Sequence, residues 1–318
     1  MGKEKKSDIE RIRERMIGPV PSISTPFLKD GAIDWQALRG MIDLYIESGV
    51  QALLITPGDS LLSILTESEI AELNIFVLRE VRGRVLVINS GFAWGLGKNL
   101  ELARLCREAG SELYIPYPSN WAGSCGAATL TDFYRAVGAV LPIMVLTNLG
   151  GGAGVPREVY TALMEDRDSG FAAVKDDMPL NYGIDLMEYL AGRIPFMTGG
   201  TAKRHLAVRA WQPDCYLSVF TRFWPEVDQA FWSCYLRGNL EQAAHIVKHY
   251  ETALMGFFAQ NGLHFDAGIH GCLEYFGRAQ RWRRAPYTSA TEEQMERLGA
   301  LLGELQQSFA EDKKLLKS

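Results

Sequence analysis

The chain has 318 residues, of which 47% are hydrophobic and 22% charged, as in an ordinary globular protein. A formal net charge of -5 without a long basic block argues against a nucleic-acid partner. No window approaches the roughly 18 apolar residues that span a bilayer, and no secretory signal opens the chain. Five widely spread cysteines without a C-x-x-C pair indicate reduced thiols, so we expect a cytoplasmic protein with no membrane partner.

Short apolar segments alternate with helical patterns along the first two thirds of the chain. Their nearly continuous apolar character is typical of parallel strands that are buried on both faces. The predicted strands are residues 20–25, 52–56, 84–90, 112–117, 142–148, 171–175, 194–200 and 215–220.

Apolar spacing of three and four residues predicts helices between these strands. Asp34 is the expected N-cap of the first, and Thr66 with Glu69 has the spacing of a capping box in the second. The segments predicted as helices include residues 34–49, 66–83, 102–110 and 187–193.

Eight strands alternating with helices predict the α/β class, as a (β/α)8 TIM barrel. A doubly wound open sheet is the alternative, weakened because no G-x-G-x-x-G follows the first strand. After residue 225 only helical patterns remain. We therefore predict an N-terminal tail or helix (1–16), a barrel (17–224) and a C-terminal helical extension (225–318).

Lys175 ends the sixth predicted strand, after the small residues of "FAAVK". One interpretation is a strand that ends at the surface in a solvated Lys-Asp-Asp turn. The other is an amine at the mouth of the barrel, where catalytic groups of this fold lie, acting as a nucleophile toward a substrate carbonyl. Among the predicted strand ends Lys175 is the single lysine, which favours the second interpretation.

Four segments resemble the dihydrodipicolinate synthase / N-acetylneuraminate lyase superfamily of Schiff-base class I aldolases. They are "TPFLKDGAID" near the start, "AAVKDD" around Lys175, "CYLSVFTRFWPE" at the eighth strand and "RRAPYTSATEEQMERL" near the end. The resemblance implies that Lys175 forms an iminium and that no metal or organic cofactor takes part. The segment "IPFMTGGTAKRH" is similar to 5-dehydro-4-deoxyglucarate dehydratases within that superfamily.

Four departures from the family pattern bear on chemistry. Pro57 stands in the loop that binds the keto-acid carboxylate in the family, and it lacks both a hydroxyl and an N–H. Leu146 stands at the position of the relay tyrosine. The family's arginine for a distal carboxylate is replaced by the glycine-rich segment "GGGAG" (150–154), and of its paired tyrosines one remains, Tyr117.

These observations predict a lyase of the aldolase or dehydratase type acting on a 2-keto acid or related carbonyl compound. The alternative is a catalytically impaired barrel that binds a carbonyl metabolite as a sensor or accessory subunit. The residues predicted as catalytic are Lys175, Thr56, Tyr117 and Thr147. Those predicted to bind substrate are Thr56, Gly58, Asp59, Asn148, Gly199, Gly200 and Ser218.

Other polar residues favour plainer interpretations. His245 and His249 have helical metal-ligand spacing but lack a third ligand, so a solvated face is expected. Asp176 and Asp177 are interpreted as acids of a surface turn, with a role in positioning or neutralising the lysine as the alternative. The family resemblance predicts a homo-oligomer, a tetramer built from dimers, and aromatic segments such as "RFWPEVDQAFWSCYL" are consistent with an interface.

Overall fold

The fold is described from a computed structural model, which covers residues 7–150 and 152–315. The ends of the predicted N-terminal tail (1–6) and C-terminal extension (316–318) lie outside the described residues, as does position 151 of the glycine segment. Among the described residues, no helix combines the length and apolar character needed to cross a bilayer.

Eight parallel strands form one sheet, in the order β1-β8-β7-β6-β5-β4-β3-β2. They are β1 (Gly18–Pro21), β2 (Ala52–Leu54), β3 (Leu86–Ser90), β4 (Leu113–Ile115), β5 (Ile143–Leu146), β6 (Phe171–Asp176), β7 (Phe196–Thr198) and β8 (Cys215–Ser218). The sheet closes where β1 meets β2, because Ser22 forms a parallel bridge with Leu54 and the Ile23 N–H donates to the Leu54 carbonyl at 2.8 Å. The predicted barrel is confirmed, and the open sheet is excluded.

Helices surround this barrel and continue beyond it. They are α1 (Asp8–Arg15), α2 (Trp35–Glu47), α3 (Glu67–Val81), α4 (Leu96–Glu108), α5 (Ala127–Gly138), α6 (Arg157–Glu165), α7 (Leu180–Leu190), α8 (Ala202–Ala207), α9 (Pro225–Leu236), α10 (Leu240–Ile246), α11 (Ala253–Gln260), α12 (Phe265–Tyr275) and α13 (Glu292–Leu315). A π-helical turn (Val247–Thr252) joins α10 to α11.

Local capping signals locate two helix starts correctly. Asp34 accepts from the Ala37 N–H, and Thr66 with Glu69 forms the reciprocal capping box of α3. The prediction of a helix at 187–193 is wrong at both ends, since α7 begins at Leu180 and stops where Ala191 adopts a left-handed backbone (φ 46°).

The barrel interior is filled by one apolar cluster drawn from all eight strands. Helix α1 closes the end opposite the site, because Ile12 and Met16 are buried within the same cluster. With α1 packed into that end, the barrel has an apolar core, and the polar strand-end residues lie at the opposite, carboxyl ends of its strands.

Two tryptophans of the aromatic segment considered as an interface, Trp224 and Trp232, pack within their own chain. Trp224 is 7% exposed, and its ring lies 5.1 Å from Phe309 and 5.6 Å from Phe276. Trp232 stacks on Tyr235 at 5.1 Å. This segment therefore supplies core packing, and the predicted homo-oligomer rests on family resemblance alone.

Glu251 connects the π-helical turn to the barrel. It is 4% exposed, and its carboxylate accepts from the N–H groups of Ala202 (2.8 Å) and Lys203 (3.1 Å), at the start of α8. Burial is the main reason why the pKa of Glu251 is raised to about 7, and the charge of Asp228 adds to it. The interaction holds α8, and hence the loop before it, against the extension.

We expect Glu251 to make the stability of the protein depend on pH. Between its ordinary pKa of 4.5 and about 7 the unfolded chain has lost the proton that the folded chain keeps, so stability falls as pH rises. At about 1.4 kcal/mol per pKa unit, the loss is on the order of 3 kcal/mol. Urea unfolding should show that the free energy of unfolding falls more between pH 5 and pH 8 in the wild type than in Glu251→Gln. An equal fall in the two proteins would contradict this assignment.

Candidate active site

A cavity of about 460 Å³ opens at the carboxyl ends of the strands. Of the residues predicted for the site, those that line it are Thr56, Gly58, Asp59, Tyr117, Asn148, Lys175 and Gly200. Thr147, Gly199 and Ser218 do not line the cavity, and all three are buried beside it. Seven residues chosen for their place at strand ends thus come together from four βα connections and one strand.

Lys175 is buried at the base of the cavity, with 3% of its surface exposed. It lies on β6 between Leu146 of β5 and Met197 of β7, its register partners. The ammonium group contacts the carboxylate of Asp177 directly. A surface lysine is therefore excluded, and the amine faces the cavity with one paired anion.

Asp177 is held in place by its neighbours. Its backbone N–H donates to the hydroxyl of Thr147 at 3.0 Å. A Cβ on Gly199 would lie 1.7 Å from the Asp177 Oδ1 and 2.6 Å from the Asp176 carbonyl oxygen, so only glycine leaves room there. Thr147 and Gly199 thus act on the site through Asp177.

The interpretation of Asp176 as a surface-turn acid is wrong. It is 1% exposed, contacts Arg204, and accepts from the Thr147 hydroxyl (3.0 Å) and the Met178 N–H (3.1 Å). Burial raises its pKa, against the opposing charge of Arg204. A Cβ on Gly183 would lie 2.1 Å from the Asp176 Oδ2, which explains a glycine inside α7.

The loop after β2 satisfies much of its own backbone. The Thr56 N–H donates to the Ser60 hydroxyl (3.0 Å), and the Asp59 N–H donates to the Thr56 hydroxyl (3.2 Å). Pro57 has no N–H to offer. The loop therefore presents to the cavity the Thr56 hydroxyl, Gly58 and the Asp59 side chain, and few donors for a carboxylate.

Arg222, which the sequence analysis passed over, neutralises Asp59. The arginine is 1% exposed, and its Nη2 donates to Asp59 Oδ2 at 2.6 Å while the Ser22 hydroxyl donates to the same oxygen at 2.7 Å. Burial by itself would raise the pKa of Asp59, but Arg222, Ser22 and Lys175 together lower it. The available signal was an arginine shortly after the eighth strand.

Tyr117 is the phenol that lines the cavity, and Leu146 of the neighbouring strand β5 adds an apolar side chain to the same lining. Burial raises the pKa of Tyr117, and the charge of Asp177 raises it further. Its hydroxyl is therefore protonated at neutral pH and available to donate a hydrogen bond. Asn148 is less free, since its Oδ1 accepts from the Gly150 N–H at 2.8 Å.

Two further lining residues come from the extension, Met255 of α11 and Phe265 of α12. Sequence reasoning missed both, because neither lies near a strand end. Phe265 also lies under the guanidinium of Arg222, with its ring centre 5.6 Å away. The extension therefore completes the cavity wall.

No metal site is found within the described part of the chain, where no three His, Cys, Asp or Glu residues are grouped to hold an ion. The rings of His245 and His249 lie 4.2 Å apart, and His245 pairs with Asp312 at 2.8 Å. All five cysteines are free thiols. The polar side chains that line the cavity are those of one lysine, two aspartates, two threonines, one asparagine and one tyrosine.

Fold and site together define a (β/α)8 barrel with a buried lysine at the carboxyl end of its sixth strand. The chain belongs to the Dihydrodipicolinate synthetase family, whose model matches residues 15–305. The dihydrodipicolinate synthase / N-acetylneuraminate lyase superfamily, which includes this family, consists of class I aldolases. The family resemblance noted in the sequence is confirmed.

Individual relatives agree with this assignment at low identity. The 4-hydroxy-tetrahydrodipicolinate synthase of Chlorobium phaeobacteroides is 24% identical over 281 residues, covering 87% of this chain and 93% of that protein. N-acetylneuraminate lyase from Fusobacterium nucleatum superposes with a TM-score of 0.81 at 15% identity, over 92% of this chain and 99% of that one. YagE from E. coli K12, a protein of the dihydrodipicolinic acid synthase family solved with pyruvate, superposes with a TM-score of 0.80 at 20% identity. The superposition covers 91% of this chain and 98% of that one. The two structures support the fold alone.

Proposed function

We propose that the protein is a lyase of the aldolase or dehydratase type that acts on a 2-keto acid or related carbonyl compound through an iminium at Lys175. The observation that carries this proposal is the buried amine, facing a cavity at the catalytic end of the barrel. An iminium withdraws electrons from the adjacent carbon, which assists C–C cleavage, addition or loss of water.

Other lining residues have roles that follow from their contacts. We propose that Thr56 and Gly58 meet the polar end of the substrate, and that the Tyr117 phenol donates a hydrogen bond to it. Thr147 is proposed to position Asp177, since its hydroxyl accepts from the backbone of that residue. Asp59 carries a lowered pKa and stays ionised in its pair with Arg222, at the wall of the cavity.

We further propose that the protein is not a true dihydrodipicolinate synthase. Leu146 cannot shuttle a proton, and it lines the cavity beside Lys175 where an acid or base would be needed. The loop after β2 has a proline where a carboxylate donor would stand. Both differences reduce the assistance on which that reaction depends.

Borohydride trapping across a panel of keto acids and aldehydes tests the proposal. We expect reduction to add a substrate-derived mass to one residue, Lys175, as identified by intact-mass and peptide analysis. Pyruvate should give little condensation with aspartate semialdehyde, and efficient condensation would contradict the second proposal. An adduct on another lysine, or none with any member of the panel, would favour the non-catalytic sensor instead.

A further inference from the structure

Besides Lys175, the strand residues that line the cavity are apolar: Ile115 of β4, Leu146 of β5 and Leu217 of β8. Imine chemistry nevertheless needs a proton carrier. An apolar surrounding strengthens any charge interaction made within it. A group that carries protons here must therefore be one that touches the amine.

Asp177 makes that contact. Asp177 directly follows the last residue of β6, and both it and Lys175 line the cavity, as strand alternation continued by one residue would place them. Its Oδ2 bonds to the Lys175 Nζ, and 29% of its side chain is exposed toward the opening. The carboxylate reaches both the amine and an incoming substrate.

The two other carboxylates near Lys175, those of Asp176 and Asp59, already have arginine and hydroxyl partners. Asp176 is enclosed by Arg204, the Thr147 hydroxyl and the Met178 N–H, and does not line the cavity. Asp59 is held by Arg222 and the Ser22 hydroxyl. By contrast, the Asp177 carboxylate is paired with Lys175 itself.

We propose that Asp177 is the catalytic acid and base for imine formation at Lys175. The role rests on the proposed Schiff-base function and explains how a site with leucine beside the lysine can still move protons. Thr147 fixes its backbone and Gly199 provides the space for its carboxylate.

The steps balance without an external reactant. A proton passes from the Lys175 ammonium to Asp177, which frees the amine lone pair. The nitrogen bonds to the carbonyl carbon, the C=O electron pair moves to oxygen, and Asp177 protonates that oxygen. Asp177 then takes one proton from nitrogen and gives it to the hydroxyl, which leaves as water while nitrogen forms the C=N bond. Carbonyl plus ammonium thus yield iminium plus water, and Asp177 ends as the carboxylate that faces the new cation.

The test compares trapping rates at Lys175 with cyanoborohydride and two probes, pyruvate and glycolaldehyde. We expect Asp177→Asn to slow adduct formation by about 10²-fold or more, the usual scale of acid–base assistance. Asp177→Glu should retain part of the rate. In Asp177→Ala, added formate should restore the rate in proportion to its concentration, which a purely structural role would not do.

Asp185→Asn on the exposed side of α7 is the matched control, since it removes the same charge away from the cavity. It should trap at the wild-type rate and show no response to formate. An Asp177→Asn rate within threefold of the wild type, or an Asp177→Ala rate insensitive to formate, would overturn the role of Asp177 alone. Failure of the wild type itself to trap either probe or any member of the panel would overturn the Schiff-base function and this role together.

Discussion

Replacing Lys175 with methionine is expected to abolish the borohydride-dependent adduct and to lower lyase turnover by about 10³-fold or more, because the nucleophile is lost. Methionine keeps the length and apolar volume of the side chain, so the base of the cavity stays filled. Asp177 loses its partner but remains partly open to solvent, which limits the cost of an unpaired charge. Intact mass after reduction and the rate with the best panel substrate are the measurements.

Lys203→Met is the control for this experiment. Lys203 lies on α8, exposed and close to the cavity, but does not line it. Its variant should form the adduct at the wild-type rate and keep the wild-type melting temperature. Full activity in Lys175→Met would exclude the iminium mechanism, whereas equal loss in both variants would indicate general damage to this end of the barrel.

Replacing Arg222 with methionine is expected to destabilise the protein by about 3–5 kcal/mol, the usual cost of breaking a buried ion pair by removing one partner. The variant leaves Asp59 with the Ser22 hydroxyl as its remaining side-chain donor and removes the bond from Arg222 Nε to the Ser218 carbonyl (3.2 Å). The pKa of Asp59 should rise, because burial then acts with less opposition. Urea unfolding at pH 7 measures the loss.

Arg297→Met offers a matched comparison, because its pair with Glu293 on α13 is exposed. Exposed pairs contribute little, so this variant should unfold close to the wild type. The double variant Asp59→Asn/Arg222→Met should regain part of the loss, since no charge is left unpaired. If Arg222→Met were as stable as Arg297→Met, the buried pair of Arg222 and Asp59 would not stabilise the fold.

The strands were predictable because a buried strand has a local signature. Each predicted segment overlaps an observed strand, and Lys175 lies on the sixth, as expected from a run of small apolar residues ending in a lysine. The helix starts at Asp34 and Thr66 were predicted correctly, since each capping signal lies within four residues of the boundary. Helix α7 was mislocated because Gly183 interrupts its pattern for a packing reason that involves Asp176, outside the helix.

Some features around Lys175 could be predicted from one local segment of the sequence, and others could not. The place of Lys175 at a strand end and the presence of Leu146 beside it each follow from a single segment. The assignment of Asp176 to a surface turn failed because Arg204 and Thr147 come from α8 and β5 to enclose it. Strand alternation would have predicted Asp177 on the same side as Lys175, had it been continued past the end of the strand.

The sequence by itself determined the eight-stranded barrel, its open end and the lysine placed there, because alternation, capping and apolar runs report backbone geometry over a few residues. Only the tertiary structure decided which residues pair with the carboxylates near that lysine and which residues of the extension line the cavity. Arg222 and Asp59 are 163 positions apart in the chain and meet because the barrel closes between β1, β2 and β8. Met255 and Phe265 reach the cavity because the extension folds back across its mouth. Such contacts depend on closure and docking, which no local pattern encodes.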